Sequence, residues 1–237
     1  MMGTILNIIT VLMGGGLGLA FGNRLPDRLR HTLLSGLGLF TAVVGVRLFL
    51  QTSNLLIPLA ALVLGGLAGE WWRIEDGLRR IGARLERRFG GGEEAGGTGG
   101  RFVRGFLTAS LVFCVGPMTI LGSIQDGLTH DYSLLAVKAA LDGVAAMAFA
   151  SALGAGVLFS VLTIAVYQGG LTLLAAQAQA ALTQPVTAEM SAVGGVILVG
   201  VALGNLLELR PIRTASFLPA LVIAPAIAWI VQRLGGG

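Results

Sequence analysis

Long apolar stretches alternate with short polar loops along almost the whole chain. Examples are residues 5–21, 55–69, 106–121, 154–176 and 193–207. Each approaches or reaches the roughly 20 residues that an α-helix needs to cross the hydrocarbon core of a bilayer. Because backbone polar groups in hydrocarbon must be hydrogen-bonded within the protein, such stretches form helices. The pattern therefore predicts an integral membrane protein of the all-α class.

Eight membrane-spanning segments account for this alternation. The predicted segments are residues 4–22, 32–50, 54–70, 104–124, 133–150, 154–176, 190–208 and 214–232. Almost no polar sequence separates the fifth segment from the sixth, so the boundary between them is the least sharply defined. We therefore predict a polytopic helix bundle of about eight transmembrane segments.

The arginines concentrate in three of the loops between these segments. Arg24, Arg28 and Arg30 lie in the first loop, a larger group between residues 73 and 104 lies in the third, and Arg210 and Arg213 lie in the seventh. Cytoplasmic loops of membrane proteins carry an excess of Lys and Arg. With eight segments these loops share one side, which predicts cytoplasmic Arg-rich loops and exterior termini. A chain with one segment fewer would break this rule at the seventh loop.

The composition excludes a soluble protein and accounts for the basic charge. Charged residues make up 12% of the chain and hydrophobic residues 54%, whereas soluble domains contain about 25% charged residues. A net charge of +4 would also suit a nucleic-acid-binding protein, but the basic residues here lie in loops between apolar segments. We therefore expect the lipid bilayer as a partner and no nucleic acid. The single cysteine, Cys114, lies in an apolar stretch, which favours a packing role.

Residues 71–89 have the pattern of an amphipathic helix, with apolar residues every three or four positions and arginines on the opposite face. The apolar positions are Trp71, Ile74, Leu78, Ile81, Leu85 and Phe89, and the basic positions are Arg73, Arg80, Arg84 and Arg87. Such a helix lies on the inner leaflet with its tryptophans at headgroup depth, or it packs on the bundle as a solvated cytoplasmic helix. The sequence supports both interpretations equally.

A glycine-rich linker, GGGEEAGGTGG at residues 90–100, follows this helix. Linkers of this composition are flexible. The linker divides the chain into a first membrane part at 1–70, a cytoplasmic helix with its linker at 71–103, and a second membrane part at 104–237. We expect three spans in the first membrane part and about five in the second.

A glycine-containing pattern recurs at the ends of three predicted segments. The sequences GLGLAFGNRL, LVLGGLAGEWW and ILVGVALGNLL each contain two glycines four residues apart, followed by a polar residue. The glycine pairs are Gly18 and Gly22, Gly65 and Gly69, and Gly200 and Gly204, and the polar residues are Asn23, Glu70 and Asn205. The apolar stretches that follow the second and third copies also resemble each other. We therefore predict internal repeats of two helices, with a weaker third copy in the first two segments.

These glycine motifs have two interpretations. Small residues at this spacing let helices pack closely, in which case the polar residues cap helix ends; we also expect a homodimer through the glycine-rich faces. In the second interpretation Asn23, Glu70 and Asn205 converge on one axis at equivalent depths and form an inner gate. Close packing is the favoured interpretation.

The sequence CVGPMTILGSIQDGL, at residues 114–128, places polar residues inside an apolar segment. Pro117 removes a backbone donor and clashes with the carbonyl group four residues earlier, and Gly116 adds backbone freedom. We therefore expect a break in the fourth segment near the middle of the bilayer. Broken helices in transporters present carbonyl groups and helix ends to ions and substrates. The alternative is a simple proline kink, with Asp126 already in the outer loop.

The fifth segment carries two ionisable residues, Lys138 and Asp142, four positions apart on one helix face. Each would cost roughly 2.5–3.5 kcal/mol at the centre of a lone helix. The pair either neutralises itself to help assembly or lines a polar cavity together with residues near the break, and we favour the cavity. The predicted residues of this ion or solute site are Gly116, Pro117, Ser123, Gln125, Asp126, Lys138 and Asp142.

Other polar residues carry weaker signals. Asn7 in the first segment could hydrogen-bond between helices. Tyr167 and Gln168, followed by Gly169 and Gly170, interrupt the sixth segment and either line the cavity or belong to a loosely packed helix. His31 and His130 lie at loop edges with no second ligand at metal-binding spacing. The sequence contains no nucleotide-binding, serine-hydrolase, metalloprotease or CxxC motif. We therefore expect no enzymatic activity, no metal and no cofactor.

Four sequence segments are characteristic of a known group of proteins. They are GTILNIITVLMGGGLGLAFGNRLP, GPMTILGSIQDGL, VKAALDGVAAMAFASALG and GVALGNLLELRPIRTASFLPAL. In these segments the chain resembles the bacterial inner-membrane proteins of the YqgA/YdfK type, which carry a domain of unknown function over essentially their whole length. The resemblance implies a multi-pass protein of the bacterial inner membrane, assigned only loosely to transport. It implies no mechanism.

These features together predict a small transporter or channel for an ion or a small polar solute. The acidic residues would attract a cation or carry protons, whereas an anion would use Lys138, so the charge of the solute is left open. The second function class is a non-transporting scaffold or regulator that acts through the basic amphipathic helix. An intramembrane enzyme acting on lipid is the weakest class, because no pair of nucleophile and base is visible.

Overall fold

A computed structural model describes residues 1–22, 26–89, 99–177 and 183–235, and within these ranges the chain is helical with no strand. The helices are α1 (Met2–Gly22), α2 (Asp27–Phe49), α3 (Leu56–Trp71), α4 (Ile74–Phe89), α5 (Gly99–Cys114), α6 (Pro117–Thr129), α7 (Ser133–Leu153), α8 (Ser160–Leu173), α9 (Gln184–Val201) and α10 (Ala220–Gly235). The 3₁₀ turns Ala155–Phe159 and Thr214–Phe217 precede α8 and α10, and the π-helical turn Ala202–Leu206 extends α9. The predicted all-α fold class is confirmed.

Six helical segments in the described part of the chain are long and apolar enough to cross a bilayer. They are α1, α2, α7, α8 with its preceding turn, α9 with its π-helical turn, and α10 with its preceding turn. The bent pair of α5 and α6 adds a seventh if it counts as one span, whereas the apolar α3 is shorter, at 16 residues. Every predicted segment is therefore helical, with the fourth divided between α5 and α6, but the predicted number of eight spans is not confirmed.

Glycines let the membrane helices approach one another to backbone contact. A Cβ atom on Gly18 of α1 would lie 2.2 Å from the carbonyl oxygen of Met147 on α7. A Cβ atom on Gly69 of α3 would lie 1.8 Å from the carbonyl oxygen of Ser216, in the turn before α10. Because no side chain fits into these gaps, close packing is the role of the glycine motifs on α1 and α3.

The same contacts cover the glycine-rich faces within the chain. Gly22 lies against Ser151 on α7, and Gly65 lies against Ala220 on α10. These glycines therefore contact other helices of the same chain. These glycine pairs are therefore used for packing within one chain, and the homodimer stays a prediction.

The packing partners of the helices agree with spans that alternate in direction. Gly3 and Gly18 of α1 face Leu135 and Met147 of α7, so these helices run parallel. By contrast, α1 runs antiparallel to α8, α2 to α9, and α3 to α10, as their paired residues show.

The predicted two-helix repeats are not confirmed: α9 packs against α10, whereas α3 packs chiefly against α10 and its preceding turn.

Two of the predicted arginine-rich loops lie together at one end of the bundle. Arg213 of the seventh loop pairs with Glu70 at 3.1 Å and with Asp76 at 2.8 Å. Arg104 forms an ion pair with Glu208. Burial acts to raise the pKa of Asp76, but the nearby guanidinium groups of Arg213 and Arg73 outweigh it and hold that pKa below its ordinary value. The clustering agrees with a shared side for these loops.

The amphipathic helix α4 packs on the bundle, as the second interpretation of residues 71–89 predicts. Leu78 contacts the cluster that Val103, Phe106 and Leu107 form on α5. Glu75, which is 2% exposed, accepts a hydrogen bond from the backbone N–H of Ala215 at 2.9 Å. The predicted linker falls largely on residues 90–98, outside the described ranges.

Candidate functional site

A polar network crosses the membrane helices where α1 packs against α7 and α8. Asn7 of α1 is fully buried, and its Nδ2 donates to Asp142 Oδ2 on α7 and to Gln168 Oε1 on α8, each at 3.0 Å. The close approach of α1 to α7 that glycines permit brings these short polar side chains within reach of each other. One asparagine thus joins three membrane helices.

The network continues along the interface between α1 and α8. Gln168 Nε2 donates to Thr4 Oγ1 at 3.3 Å, and the hydroxyl groups of Thr4 and Thr172 lie 3.5 Å apart. Thr172 also donates to the backbone carbonyl oxygen of Gln168 at 3.0 Å. All three of these residues are buried. Their hydrogen bonds compensate for the cost of placing polar groups at this depth.

Lys138 and Asp142 form an ion pair within α7. Their side chains are only 6% and 13% exposed. The spacing of four residues places both side chains on the helix face that packs against α1, as the sequence predicts. Each charge alone would cost roughly 2.5–3.5 kcal/mol at the bilayer centre, so the pair and its link to Asn7 are needed to hold these charges inside the bundle.

Asp126 on α6 is also buried, at 1% exposure. Its Oδ2 accepts a hydrogen bond from the backbone N–H of Gly3 at 3.1 Å and lies 2.8 Å from the α-amino group of Met1. Asp126 and Asp142 therefore both meet α1, but at different turns of that helix. Asp126 lies inside the bundle and not in the outer loop, which removes the alternative interpretation of this residue.

The predicted break in the fourth segment is present. The two helices α5 and α6 meet at an angle of 62°. Gly116 has a φ of 138°, a backbone conformation that other residues rarely adopt, and Pro117 begins α6 at a position where a missing N–H costs nothing. Thr119 Oγ1 donates to the carbonyl oxygen of Phe113 at 3.3 Å and so satisfies one acceptor that the break leaves free.

Two of the predicted site residues on α6 differ in their surroundings. Ser123 is completely buried, and its hydroxyl group has no hydrogen-bond partner among the described residues. Gln125 instead donates to Asp131 at 2.6 Å on the exposed side of the helix end. The structure therefore separates Gln125 from the buried network, because its side chain is directed about 100° away from that of Asp126 around the helix axis and bonds to the loop after α6.

The residues predicted to form an inner gate do not share a described contact. Asn23 lies outside the described residues. Glu70 accepts a hydrogen bond from Ser216 at 2.7 Å and pairs with Arg213, and Asn205 lies in the π-helical turn after α9. Glu70 thus acts in the structure as a link between α3 and the seventh loop.

An apolar groove of about 500 Å³ opens between α5, α8, α9 and α10. Its lining includes Phe106, Leu111, Cys114, Tyr167, Leu221 and Val222. The hydroxyl groups of Ser110 and Thr163, 2.9 Å apart, satisfy each other at its wall. The groove differs in chemistry from the polar network, which lies on the α1 side of α8.

The helices α1 and α8 contribute more residues to the polar network than the sequence predicts. Thr4 and Asn7 are three residues apart, and Gln168 and Thr172 are four apart, so each pair shares one helix face. This spacing of polar residues within two apolar segments was the available signal. It does not reveal the partner helix, because contact between residues 161 positions apart depends on the tertiary packing.

The similarity of the chain to known proteins covers its whole length. A family model described as "Protein of unknown function (DUF554)" matches residues 2–229. The chain is 25% identical over 239 residues to the "Uncharacterized membrane protein YdfK" of Bacillus subtilis (strain 168), covering 99% of each chain. It is 31% identical over 229 residues to the "Uncharacterized protein YqgA" of Escherichia coli (strain K12), covering 96% of this chain and 97% of the relative. No solved structure matches the chain significantly.

Proposed function

The chain belongs to the family described as "Protein of unknown function (DUF554)", and from its buried polar network we propose that it transports or conducts an ion or a small polar solute across the membrane. The network of Asn7, Lys138, Asp142 and Gln168 carries the proposal. It lies within helices whose length and composition suit a bilayer span. Ionisable residues in such helices are rare and mark substrate or ion pathways by default.

The cost of the ion pair supports this function over a purely structural role. Close packing at small residues already associates the helices of this bundle. Replacing a buried ion pair by apolar residues of similar volume is often neutral or stabilising. A charged pair that is kept at this depth, and held by amide side chains from two other helices, is better suited to interaction with a charged or polar solute.

Uptake into proteoliposomes tests the proposal. Purified protein would be reconstituted into vesicles and offered labelled sodium, rubidium, chloride, glycerol and amino acids. We expect uptake of at least one of these, and we expect Asp142→Asn to reduce it about tenfold or more, because the substitution removes the charge with little change in shape. Asp131→Asn is the matched control, since it neutralises an exposed acid at the end of α6.

Two results would count against the proposal. If no solute in the panel enters vesicles that hold folded wild-type protein, the transport function is contradicted; if Asp142→Asn transports at the wild-type rate, the assigned site is contradicted. Circular dichroism and gel filtration of each variant establish that the bundle is intact. A folded Asp142→Asn protein with wild-type uptake would remove Asp142 from the site.

We also propose that the protein lies in the bacterial inner membrane with its arginine-rich end in the cytoplasm. The clustering of Arg104 and Arg213 with acidic residues of the third and seventh loops supports one shared side. The positive-inside bias then assigns that side to the cytoplasm.

A scaffold or regulator that acts through α4 is the second candidate. The exposed Trp71 and Trp72, at 86% and 68%, favour contact with headgroups at the base of this helix. Deletion of residues 71–98 distinguishes the two functions: a transporter keeps most of its flux, whereas a scaffold loses its activity.

A further inference from the structure

The apolar groove between α5, α8, α9 and α10 is lined chiefly by aliphatic and aromatic side chains. The hydroxyl groups of Ser110 and Thr163 at its wall already satisfy each other at 2.9 Å. A charged or strongly polar solute would lose its hydration in these surroundings without gaining partners, which is costly. The groove therefore suits a hydrocarbon chain.

The rim of the groove is exposed on the outside of the bundle. Val166 on α8 and Val222 on α10 are 77% and 74% exposed, and Leu174 at the end of α8 is 59% exposed. The two valines lie in helical segments whose length and composition suit a bilayer span. Lipid tails are as apolar as such side chains, so the groove opens toward the hydrocarbon of the bilayer.

The groove has the length of one leaflet. Its lining on α8 extends from Thr163 to Leu174, which at the helical rise is about 16 Å. Half the hydrocarbon core of a bilayer is about 15 Å thick. Leu78 of α4 lines the groove, and both Leu78 and Phe159, which precedes α8, pack on the cluster around Phe106. The groove thus extends from α4 toward the middle of the bilayer.

Arginines lie at the end of the groove that is next to α4. This helix carries five arginines against three acids. Arg79 follows Leu78 directly, and its Nε donates to Glu75 Oε1 at 2.9 Å. Glu75 also accepts a hydrogen bond from the backbone N–H of Ala215, three residues before Leu218 in the groove wall. These contacts hold the guanidinium group of Arg79 near this end of the groove.

Arg79 and Arg80 retain hydrogen-bond donors for an anion. Arg80 Nε donates to the backbone carbonyl oxygen of Asp76 at 3.1 Å. The terminal nitrogens of Arg79 and Arg80 have no hydrogen-bond partner in the part of the chain that the structure describes. Both arginines line a shallow depression of about 510 Å³ together with Arg73 and Asp76. Guanidinium groups bind phosphate oxygens through two parallel hydrogen bonds, so phosphate is the anion that this arrangement suits.

We propose that the groove holds one acyl chain of an anionic phospholipid, with the phosphate of its headgroup at Arg79 and Arg80. The lipid belongs to the leaflet at the arginine-rich end of the bundle, where basic pockets between membrane helices bind anionic headgroups. The bound lipid joins α4 to the membrane helices α5, α8 and α10. This inference is independent of the transport function, because the groove and the polar network lie on different sides of α8.

A second copy of the chain is the competing occupant of an apolar groove. One of its membrane helices would fill the groove, but a helix of hydrocarbon side chains supplies no negative charge for Arg79 and Arg80. An anionic phospholipid supplies the apolar chain and the negative charge in one molecule. The combination of groove and arginines therefore favours the lipid.

Native mass spectrometry of the full chain in detergent tests the lipid. Protein stripped of lipid by detergent washing would receive phosphatidylglycerol, or phosphatidylcholine with the same acyl chains and no net charge. We expect one tightly bound phosphatidylglycerol per chain, with an affinity about tenfold or more above that for phosphatidylcholine. Equal affinities for the two lipids would overturn the proposal.

A double variant tests the headgroup contact. Arg79→Gln with Arg80→Gln should reduce the affinity for phosphatidylglycerol to about that for phosphatidylcholine, because the guanidinium groups that bind the phosphate are absent. Arg84→Gln with Arg87→Gln is the matched control, since it removes two charges from the same helix, and it should keep the preference. A preference retained by the folded Arg79→Gln, Arg80→Gln protein would contradict the assigned headgroup site.

A variant that fills the groove tests the position of the acyl chain. Gly170 lines the groove, and no atom lies within 4 Å of the position that its Cβ atom would take. Gly170→Leu should therefore fold and should weaken the binding of phosphatidylglycerol about tenfold or more. Gly36→Leu, at an equally open position on α2, is the matched control and should bind as the wild type.

Photo-crosslinking gives a second measurement that needs no variant. Phosphatidylglycerol with a diazirine in its acyl chain should label peptides of α5 and α8 more than peptides of α2. Even labelling of these helices, or unchanged binding by the folded Gly170→Leu protein, would remove the lipid from the groove. A dimer of the wild type that Gly170→Leu converts to a monomer would assign the groove to a second copy. None of these results bears on uptake that depends on Asp142, so the transport function is tested separately.

Discussion

At the scale of single residues, the position of a glycine decides whether two membrane helices can meet. Gly14 of α1 lies against the backbone of Gly143, whereas Gly16 on the same helix has open space where a side chain would lie. Backbone atoms cannot move aside as a flexible side chain can. The same residue type therefore has different importance at neighbouring positions of one helix.

Gly14→Val should destabilise the bundle, because its Cβ atom would lie 1.9 Å from the carbonyl oxygen of Gly143. Forcing extra atoms into a packed interior costs about 1–3 kcal/mol or more. Unfolding by sodium dodecyl sulfate in mixed micelles measures the change. Gly16→Val is the control and should stay close to the wild type. Equal stability of the two variants would show that α1 does not pack on α7 as described.

Gly116→Ala should destabilise the protein for a different reason. No atom lies within 4 Å of the position that its Cβ atom would take, so the cost arises from the φ of 138° alone. Residues held in such regions cost of order 1–3 kcal/mol. Gly36→Ala, at an open helical position, should be neutral or slightly stabilising. A thermal unfolding series would compare both, and a neutral Gly116→Ala would contradict the break geometry.

Local sequence accounts for the break but not for the network. Pro117 and Gly116 are adjacent and act on their own backbone, so their effect could be predicted without knowledge of any other helix. The contact of Asn7 with Asp142 joins residues 135 positions apart, and it exists only because α1 selects α7 among several apolar helices. The exposed contact of Gln125 with Asp131 could not be predicted for the same reason, since the exposure of each face of α6 depends on which neighbour covers it.

At the scale of elements, α4 combines a basic surface with one buried acid. Glu75 accepts hydrogen bonds from the backbone of Ala215 and from Arg79, whose Nε lies 2.9 Å away. It therefore joins α4 to the turn before α10. The periodicity of residues 71–89 predicted the helix and its apolar face. The periodicity did not show whether that face contacts lipid or protein, because both surroundings are apolar. The contacts of α4 with α5 and with the turn before α10 distinguish the two interpretations.

Glu75→Ala should loosen α4 from the bundle. The substitution leaves the buried N–H of Ala215 without its acceptor, which costs about 1–3 kcal/mol. Hydrogen exchange of the α4 amides should accelerate while exchange in α7 stays unchanged. Glu86→Ala, a change of the same kind on the same helix, is the control. Unchanged exchange in α4 of the Glu75→Ala protein would mean that its apolar contacts alone hold this helix.

At the scale of the whole molecule, opposite ends of the bundle differ in charge. Arg104 and Arg213 pair with acids at one end. At the other end Glu189, only 2% exposed, accepts a hydrogen bond from Thr52 at 2.6 Å. The positions of the charged residues in the sequence predicted this difference between the two ends. The difference depends on the composition of the loops and not on which helices pair. The number of spans was less predictable, since α3 is short and α5 and α6 form one bent unit.

Labelling of single cysteines in whole cells tests the orientation. With Cys114→Ala as background, Asp131→Cys should react with a membrane-impermeant maleimide from outside, whereas Arg80→Cys should react only after permeabilisation. The reason is that arginine-rich loops remain on the cytoplasmic side. Labelling of both positions in intact cells would indicate mixed orientation, and the reverse pattern would place the arginine-rich end outside.

The pairing of α1 with α7 also constrains how the protein is made. Ribosomes add about 5–20 residues per second, and Asn7 and Asp142 are separated by 135 positions. The helix α1 is therefore synthesised many seconds before α7. During this time the side-chain amide of Asn7 and the glycines that will contact α7 have no partner on that helix. During that interval lipid, an insertase or temporary protein neighbours have to shield α1. A delay in synthesis before residue 133, where α7 begins, would prolong the exposure of α1 to membrane proteases.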